Sequence, residues 1–305
     1  MTYSPTDVRD ALVTTEAREV SPQALGVGLR THPLRFDNHN ASDALPRVAE
    51  EFLVASRNTR HDRETQLSVA HYFTDPVTIA LAQATRSPLD GAKRIQLPES
   101  RLSDVSLAQV LAGRRSARDF ASAPLPFGSL ASVLRYGDSE TIEVQSRLES
   151  GGEAALRLRT APSAGGLFPV EVWVVARNIT ELERGIYRYL PDADALETWA
   201  GEQELTRLLS SCADVAGDDL AGTCGALLLF VASPWRSMRK YGPRGLRFVL
   251  HETGSIAQNI HLTATALGLG SLDYSGFFDD ETHRALGIDG VYRAVVHMVL
   301  LGARR

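Results

Sequence analysis

The chain of 305 residues is 44% hydrophobic and 23% charged, enough to bury one large core or two ordinary ones, which excludes collagen, coiled coil and wholesale disorder. Its 32 basic and 37 acidic side chains leave a formal net charge of -5, so nothing marks it for wrapping nucleic acid or an anionic membrane, and a bound phosphate needs a local site. The first residues, MTYSPTDVRD, have neither the basic nor the apolar part of a signal segment, and the greasiest stretches, 225–232 and 295–302, fall far short of a bilayer span; the expectation is a soluble, cytoplasmic protein.

Residues 1–43 mix Pro, Asn, Thr and Arg without periodicity and read as an irregular arm. PRVAEEFLVASRN and DPVTIALAQAT read as helices and SPLDGAKRIQLPES as a linker, dividing the chain into an N-terminal extension, 1–100, and a second domain, 101–305. Beyond it, Ser106 can cap a short helix LAQVLA that Gly113 ends, and Pro126 precedes a helix running to Tyr136. VEVWVVA is a strand, and IYRYL and ALETW, separated by Pro191-Asp192-Ala193-Asp194, form a β-hairpin. A helix over 202–211, a buried-type strand GALLLFVAS, a long helix over 244–267, a short helix over 279–286 and a final strand VYRAVVHMVLL complete the chain. Strands and helices mix without strict alternation, which predicts an α+β fold. A Walker loop and a GxGxxG after a strand are both missing from the sequence, which removes support for nucleotide triphosphatase and Rossmann reductase readings. Cys212 and Cys224 form no CxxC, and His251 and His261 lack the i, i+4 spacing of a metal pair, so ordinary thiols and no metal are expected.

Four segments carry candidate chemistry. Arg114, Arg115, Ser116 and Arg118 gather guanidinium forks and a hydroxyl suited to phosphate oxygens, although a solvated helix end also favours such residues. Pro162, Ser163, Ala164 and Gly165 open a small-residue loop before VEVWVVA that either lets backbone approach a planar ligand or is simply a tight turn. Lys240 and Tyr241 stand before a Gly-Pro that is expected to hold them out of helix; they are a coupled base pair only if burial or a neighbouring cation shifts them. The long helix places Glu252, Ser255, Gln258 and Asn259 among apolar positions and ends in Gly268, Leu269 and Gly270, read as a C-cap, before Ser271.

In order and spacing, RRSARDF, PSAGGLFPVEVWVV, IYRYLPDADALE and MRKYGPRGLRFVLHETGSIAQNIHLTATALGLGS together resemble the flavin-dependent dehydrogenases of the nitroreductase fold, and within them the SagB-type branch of azoline oxidases. The resemblance implies a central, mainly antiparallel sheet flanked by helices and a homodimer with FMN at its interface. It places the phosphate on Arg114, Arg115, Ser116 and Arg118, with a weaker suggestion for Arg304, and the flavin ring against Pro162 to Gly165, Gln258 and Gly268 to Ser271. It implies oxidation of thiazolines or oxazolines in a precursor peptide, with Lys240 and Tyr241 on the base side: either Tyr241 takes the proton with Lys240 lowering its pKa, or the reverse. Residues 1–100 match the family less well; a docking arm for a cyclodehydratase or leader peptide and a helical arm around the dimer are both compatible with them. The other readings are an NAD(P)H-dependent nitro or quinone reductase and a non-catalytic subunit of a maturation complex.

Overall fold

A computed structural model of the chain describes residues 48–58, 60, 62–75, 77, 78, 89, 91–99, 102, 104–147, 153–214 and 217–305. The expected arm at 1–43 and most of the helix expected over DPVTIALAQAT lie outside the described residues. The chain divides into two units, Met1–Asp62 and Arg63–Arg305. Within the first, the expected helix at PRVAEEFLVASRN is observed as α1 (Val48–Ala55).

The second unit begins with α2 (Arg63–Thr74), a helix that sequence reading left unassigned because RETQLSVAHYFT carries no sustained apolar stripe. The segment expected as a linker instead supplies strand β1 (Arg94–Gln96), which pairs with a hairpin strand within this unit. After it come α3 (Leu107–Gly113), α4 (Phe127–Asp138), β2 (Glu140–Arg147), β3 (Glu153–Arg159), β4 (Val170–Ala176), β5 (Gly185–Leu190), β6 (Ala195–Ala200), α5 (Glu202–Ser210), α6 (Leu220–Thr223), β7 (Ala226–Ala232), α7 (Pro234–Tyr241), α8 (Gly245–Ala266), β8 (Leu269–Tyr274), α9 (Asp279–Leu286) and β9 (Ala294–Ala303). Ser106 forms a full capping box with Gln109 at the start of α3, as its position predicts.

Seven strands form one antiparallel sheet in the order β1-β6-β5-β4-β7-β9-β8, and β2 and β3 pair separately. VEVWVVA and ALLLFVA lie at its centre with both faces covered, which is why they read as almost continuous apolar runs. Val170, Val172 and Val174 of β4 point to one core with Leu130 and Leu134 of α4 and Val249, Ile256 and Ile260 of α8. Trp173 and Val175 point to the other, against Leu205 and Leu208 of α5 and Leu286 of α9. The sheet is therefore sandwiched between two helical layers, an α+β architecture as expected. The Pro191–Asp194 turn is held by Asp194, whose carboxylate pairs with Arg135 of α4 at 2.6 Å, while the same guanidinium donates to the carbonyls of Leu97 and Pro98 beside β1.

Two local expectations differ from the structure. Leu269, Gly270 and Ser271 belong to edge strand β8, because after the turn at Gly268 (φ 71°) the chain pairs at once with β9. Lys240 and Tyr241 are the last two residues of α7, a helix opened by Pro234; it is Gly242, at φ 55° and ψ -150°, that turns the chain out of helix after them.

Candidate active site

The RRSARDF segment runs beside β8. Ser116 bridges to Ser271 in parallel, the Ala117 N–H donates to the Ser271 carbonyl at 3.0 Å, and Phe120 bridges to Arg304. Gly270 permits this approach: a Cβ there would lie 2.9 Å from Cβ of Ala117 and 3.3 Å from the Phe120 ring. The structure thus brings together Arg114, Ser116, Arg118, Leu269, Gly270, Ser271 and Arg304. Arg115 turns back to cap its own helix, donating to the carbonyls of Ala112 at 2.9 Å and Arg114 at 2.7 Å. Among the described residues the side chains of Arg114 and Arg118 have no hydrogen-bond or ion-pair partner, so their guanidinium donors remain available to an anion. Ser271 is buried and its hydroxyl shares a 2.8 Å hydrogen bond with His261 Nδ1, so its polar groups serve the protomer's interior. Asp273 meets both His261 and His297 through Oδ1, and although burial resists its ionisation, those two imidazoles hold its carboxyl below the usual range. Gln258 is exposed on α8.

A second cluster joins the small-residue loop to Lys240 and Tyr241. The loop makes a 3-10 turn over Ala164–Gly166, with Gly165 at φ 67° and Gly166 at φ 64°. A Cβ on Gly165 would lie 2.6 Å from Tyr241 Oη and 2.8 Å from Lys240 Nζ, so the backbone passes directly over both candidate base groups. Pro162 and Gly165 are exposed, while Ser163 and Ala164 are half-buried. Of the 32 Lys and Arg side chains in the sequence, only Lys93 and Lys240 are lysines. Lys240 is only 3% exposed, and burial moves its ammonium pKa down. A guanidinium could not be tuned in this way, since arginine stays protonated in proteins. Burial moves the Tyr241 phenol in the opposite direction, assisted by Tyr72.

Beneath the loop lies a buried polar foundation that sequence reading missed. Glu252 of α8 accepts the Val170 N–H through Oε1 at 3.2 Å, Ser163 Oγ accepts the Phe168 N–H at 2.9 Å, and Arg236 of α7 donates to the Leu167 carbonyl at 2.9 Å. Phe168 adopts φ 44°, a left-handed conformation costly for an aromatic residue, with the Arg159 guanidinium 4.4 Å from its ring centroid. Arg159 also pairs with Asp138 at the end of α4, at 2.9 Å. Burial pushes the carboxyl of Asp138 up to about 6 against the opposing pull of Arg159. It pushes Glu252 up to about 8, with the Ser163 hydroxyl opposing and Asp138 assisting. The sequence held one signal for this: Glu252 lies on the same helical stripe as the core residues Val249, Ile256 and Ile260, where a carboxyl must be buried.

These residues fit a bound FMN. The unpartnered guanidiniums suit a phosphate, and the left-handed glycine loop offers backbone without side chains to a flat ring. Cys212 and Cys224, by contrast, have thiols pushed by burial up to about 12, which makes both inert at neutral pH. Among the described residues no helix is long and apolar enough to cross a membrane.

The nitroreductase family matches residues 111–302. The provisionally named nitroreductase MJ1384 of Methanocaldococcus jannaschii is 33% identical over 197 residues, 64% of this chain and 89% of that protein. The microcin B17-processing protein McbC of Escherichia coli is 33% identical over 138 residues, 43% of this chain and about half (49%) of McbC. The E. coli microcin synthetase McbBCD complex with truncated pro-MccB17 bound contains a chain of the same fold, with 21% identity, a TM-score of 0.51 and coverage of 81% of this chain and 100% of that one.

Proposed function

The chain belongs to the nitroreductase family, whose members are generally flavin-dependent oxidoreductases, and from that premise we propose that it is an FMN-dependent dehydrogenase that oxidises thiazoline or oxazoline rings in a peptide to thiazoles or oxazoles. The observation that carries this reading is the approach of Gly165 to Lys240 Nζ and Tyr241 Oη, which sets a buried amine and a phenol against a loop suited to a flavin ring. The likeness to McbC, a peptide-processing protein, supports a peptide substrate.

Aromatising an azoline removes a proton from Cα and a hydride from Cβ, so the ring must lie between a base and an acceptor. FMN, when bound, would supply the hydride acceptor, with dioxygen as the final oxidant. Arg114 and Arg118 would hold its phosphate, and Ser163 to Gly165 and Leu269 to Gly270 would line its ring, in a proposed homodimer. We infer that Lys240 is the base, since burial lowers its pKa and raises that of Tyr241: the Lys240 amine would take the Cα proton while Tyr241, a neutral phenol, would orient the ring by hydrogen bonding. Glu252, Arg159 and Arg236 fix the loop that sets these distances. The apolar residues of α8 are largely used within the protomer, against the sheet and α4, while Leu250 is 48% exposed.

A second reading, an NAD(P)H-dependent nitro or quinone reductase, is favoured by the longer coverage of the match to MJ1384. The two separate in one experiment. Incubated with an azoline peptide in air, the protein is expected to remove two hydrogens per ring, read by mass spectrometry, without nicotinamide. Rapid NADPH-dependent turnover of a nitroarene with no change in the peptide would establish the second reading instead.

A further inference from the structure

Helix α2, from the part of the chain that resembles the family least, faces the candidate base. Thr65, Ser68 and Tyr72 share one of its faces, spaced i, i+3 and i+7. Ser68 Oγ donates to the Arg239 carbonyl of α7 at 2.7 Å, and Thr65 Oγ1 lies 3.7 Å from where a Cβ on Gly242 would stand. One turn beyond Ser68, the Tyr72 ring centroid is 5.0 Å from Lys240 Nζ. We propose that Tyr72 is a positioning residue of this site, its ring closing the α2 side of Lys240 so that the amine is shielded from bulk water on a face that neither Tyr241 nor the glycine loop covers. This rests on the proposed base role of Lys240 only for its catalytic consequence; the shielding itself is a property of the chain.

Two effects of a ring beside an ammonium compete. A cation–π contact favours the charged form, whereas exclusion of water disfavours it. Lys240 is only 3% exposed beneath this ring, which favours shielding, and burial moves its pKa in the same, downward direction. The groups around the amine support that balance. Tyr72 is itself moved up by burial, against opposing pulls from Arg239 and Arg236 of α7, and so stays a neutral phenol. From the loop side Gly165 brings no charge, Tyr241 is neutral, and Glu252 of α8 is turned to Val170 and Ser163. Arg244, before α8, lies against Phe248.

The test titrates Lys240 in the full-length protein as purified, with no substrate. Brief pulses of acetic anhydride across a pH series, read by peptide mass spectrometry, give the reactivity of Lys240 against exposed Lys93, the other lysine of the sequence, as internal reference. In Tyr72→Ala the midpoint of the Lys240 profile is expected to rise by roughly one pH unit toward the ordinary lysine value, and its plateau reactivity by roughly tenfold as water and reagent gain access. Tyr72→Phe, which keeps the ring, is expected to match wild type. Should alanine unseat α2, as judged by circular dichroism, Tyr72→Leu is expected to give a smaller upward shift. An unchanged midpoint and plateau, or a downward midpoint showing that the ring acts by cation–π attraction, would overturn the inference. Because no azoline is involved, that failure is distinguishable from failure of the proposed reaction.

Discussion

Replacing Gly165 by alanine tests whether the small-residue loop and the Lys240–Tyr241 pair form one site. The new Cβ would stand 2.6 Å from Tyr241 Oη and 2.8 Å from Lys240 Nζ, well inside the ~3.5–4.0 Å of ordinary contact. Both are ends of flexible side chains, so they yield by about 1 Å instead of displacing the backbone. The loss of stability then comes mainly from holding alanine at φ 67°, about 1–2 kcal/mol, equivalent to a Tm decrease of roughly 2–8 °C for a unit of this size. Misplacement of the reacting groups by that distance costs far more in rate, about a hundredfold. The expected outcome is a protein that keeps its flavin absorbance, melts a few degrees lower and oxidises azolines about a hundredfold more slowly. Gly128→Ala, in α4 with nothing within 4 Å of the added Cβ, is the matched control and leaves both Tm and rate intact or Tm slightly raised. Wild-type turnover in Gly165→Ala despite the lower Tm would refute the shared site.

Arg114→Ala combined with Arg118→Ala removes the two proposed phosphate contacts and is expected to weaken FMN binding by on the order of 3 kcal/mol or more, read by flavin content after gel filtration; full occupancy would displace the phosphate from these residues. Glu252 has a folded-state pKa raised from 4.5 to about 8, so its contribution to stability is complete below about 4.5 and is lost as pH rises through about 8. Denaturant unfolding of wild type is therefore expected to weaken across that window, by up to about 1.4 kcal/mol per pH unit per proton, and Glu252→Gln to flatten the decline. Identical pH profiles in the two proteins would place the titration elsewhere. For Lys240 the raised fraction of neutral amine predicts that kcat/KM climbs with pH to a midpoint below the ordinary lysine value, measured by azole formation; a pH-independent rate would remove it as the base.

Legibility from sequence followed the strength of local signals. The hairpin at Pro191–Asp194, the capping box at Ser106 and the bounds of the helix at Asp279–Leu286 each have short-range chemistry that the structure reproduces. β1 was hidden because three residues among Pro and charge read as linker, and their strand conformation comes from pairing along β6, from Arg94 with Glu197 to Gln96 with Ala195. The β2–β3 hairpin alternates Ile142 and Val144 with polar residues, a weak pattern on strands whose apolar side chains remain exposed. The four candidate segments were visible one by one, and their grouping was legible only through the family resemblance, not through any local signal. That Gly165 faces Lys240 while Ser116 faces Ser271 depends on the α7–α8 crossing at Gly245 and on the sheet order, both set by contacts far apart in the chain. Tyr72 had no local signal at all, since its role comes from a helix packed against a segment 168 positions later.

The central claim is that this site passes a hydride from an azoline to FMN while Lys240 takes the proton. Anaerobic stopped-flow mixing of the FMN-loaded protein with a thiazoline peptide, without nicotinamide, tests it most directly. The account predicts single-turnover bleaching of the flavin band with one azole formed per flavin reduced, and bleaching slowed by roughly a hundredfold or more in Lys240→Ala at unchanged flavin content. A flavin that stays oxidised with the azoline but bleaches with NADPH, or equal bleaching rates with and without Lys240, would contradict it.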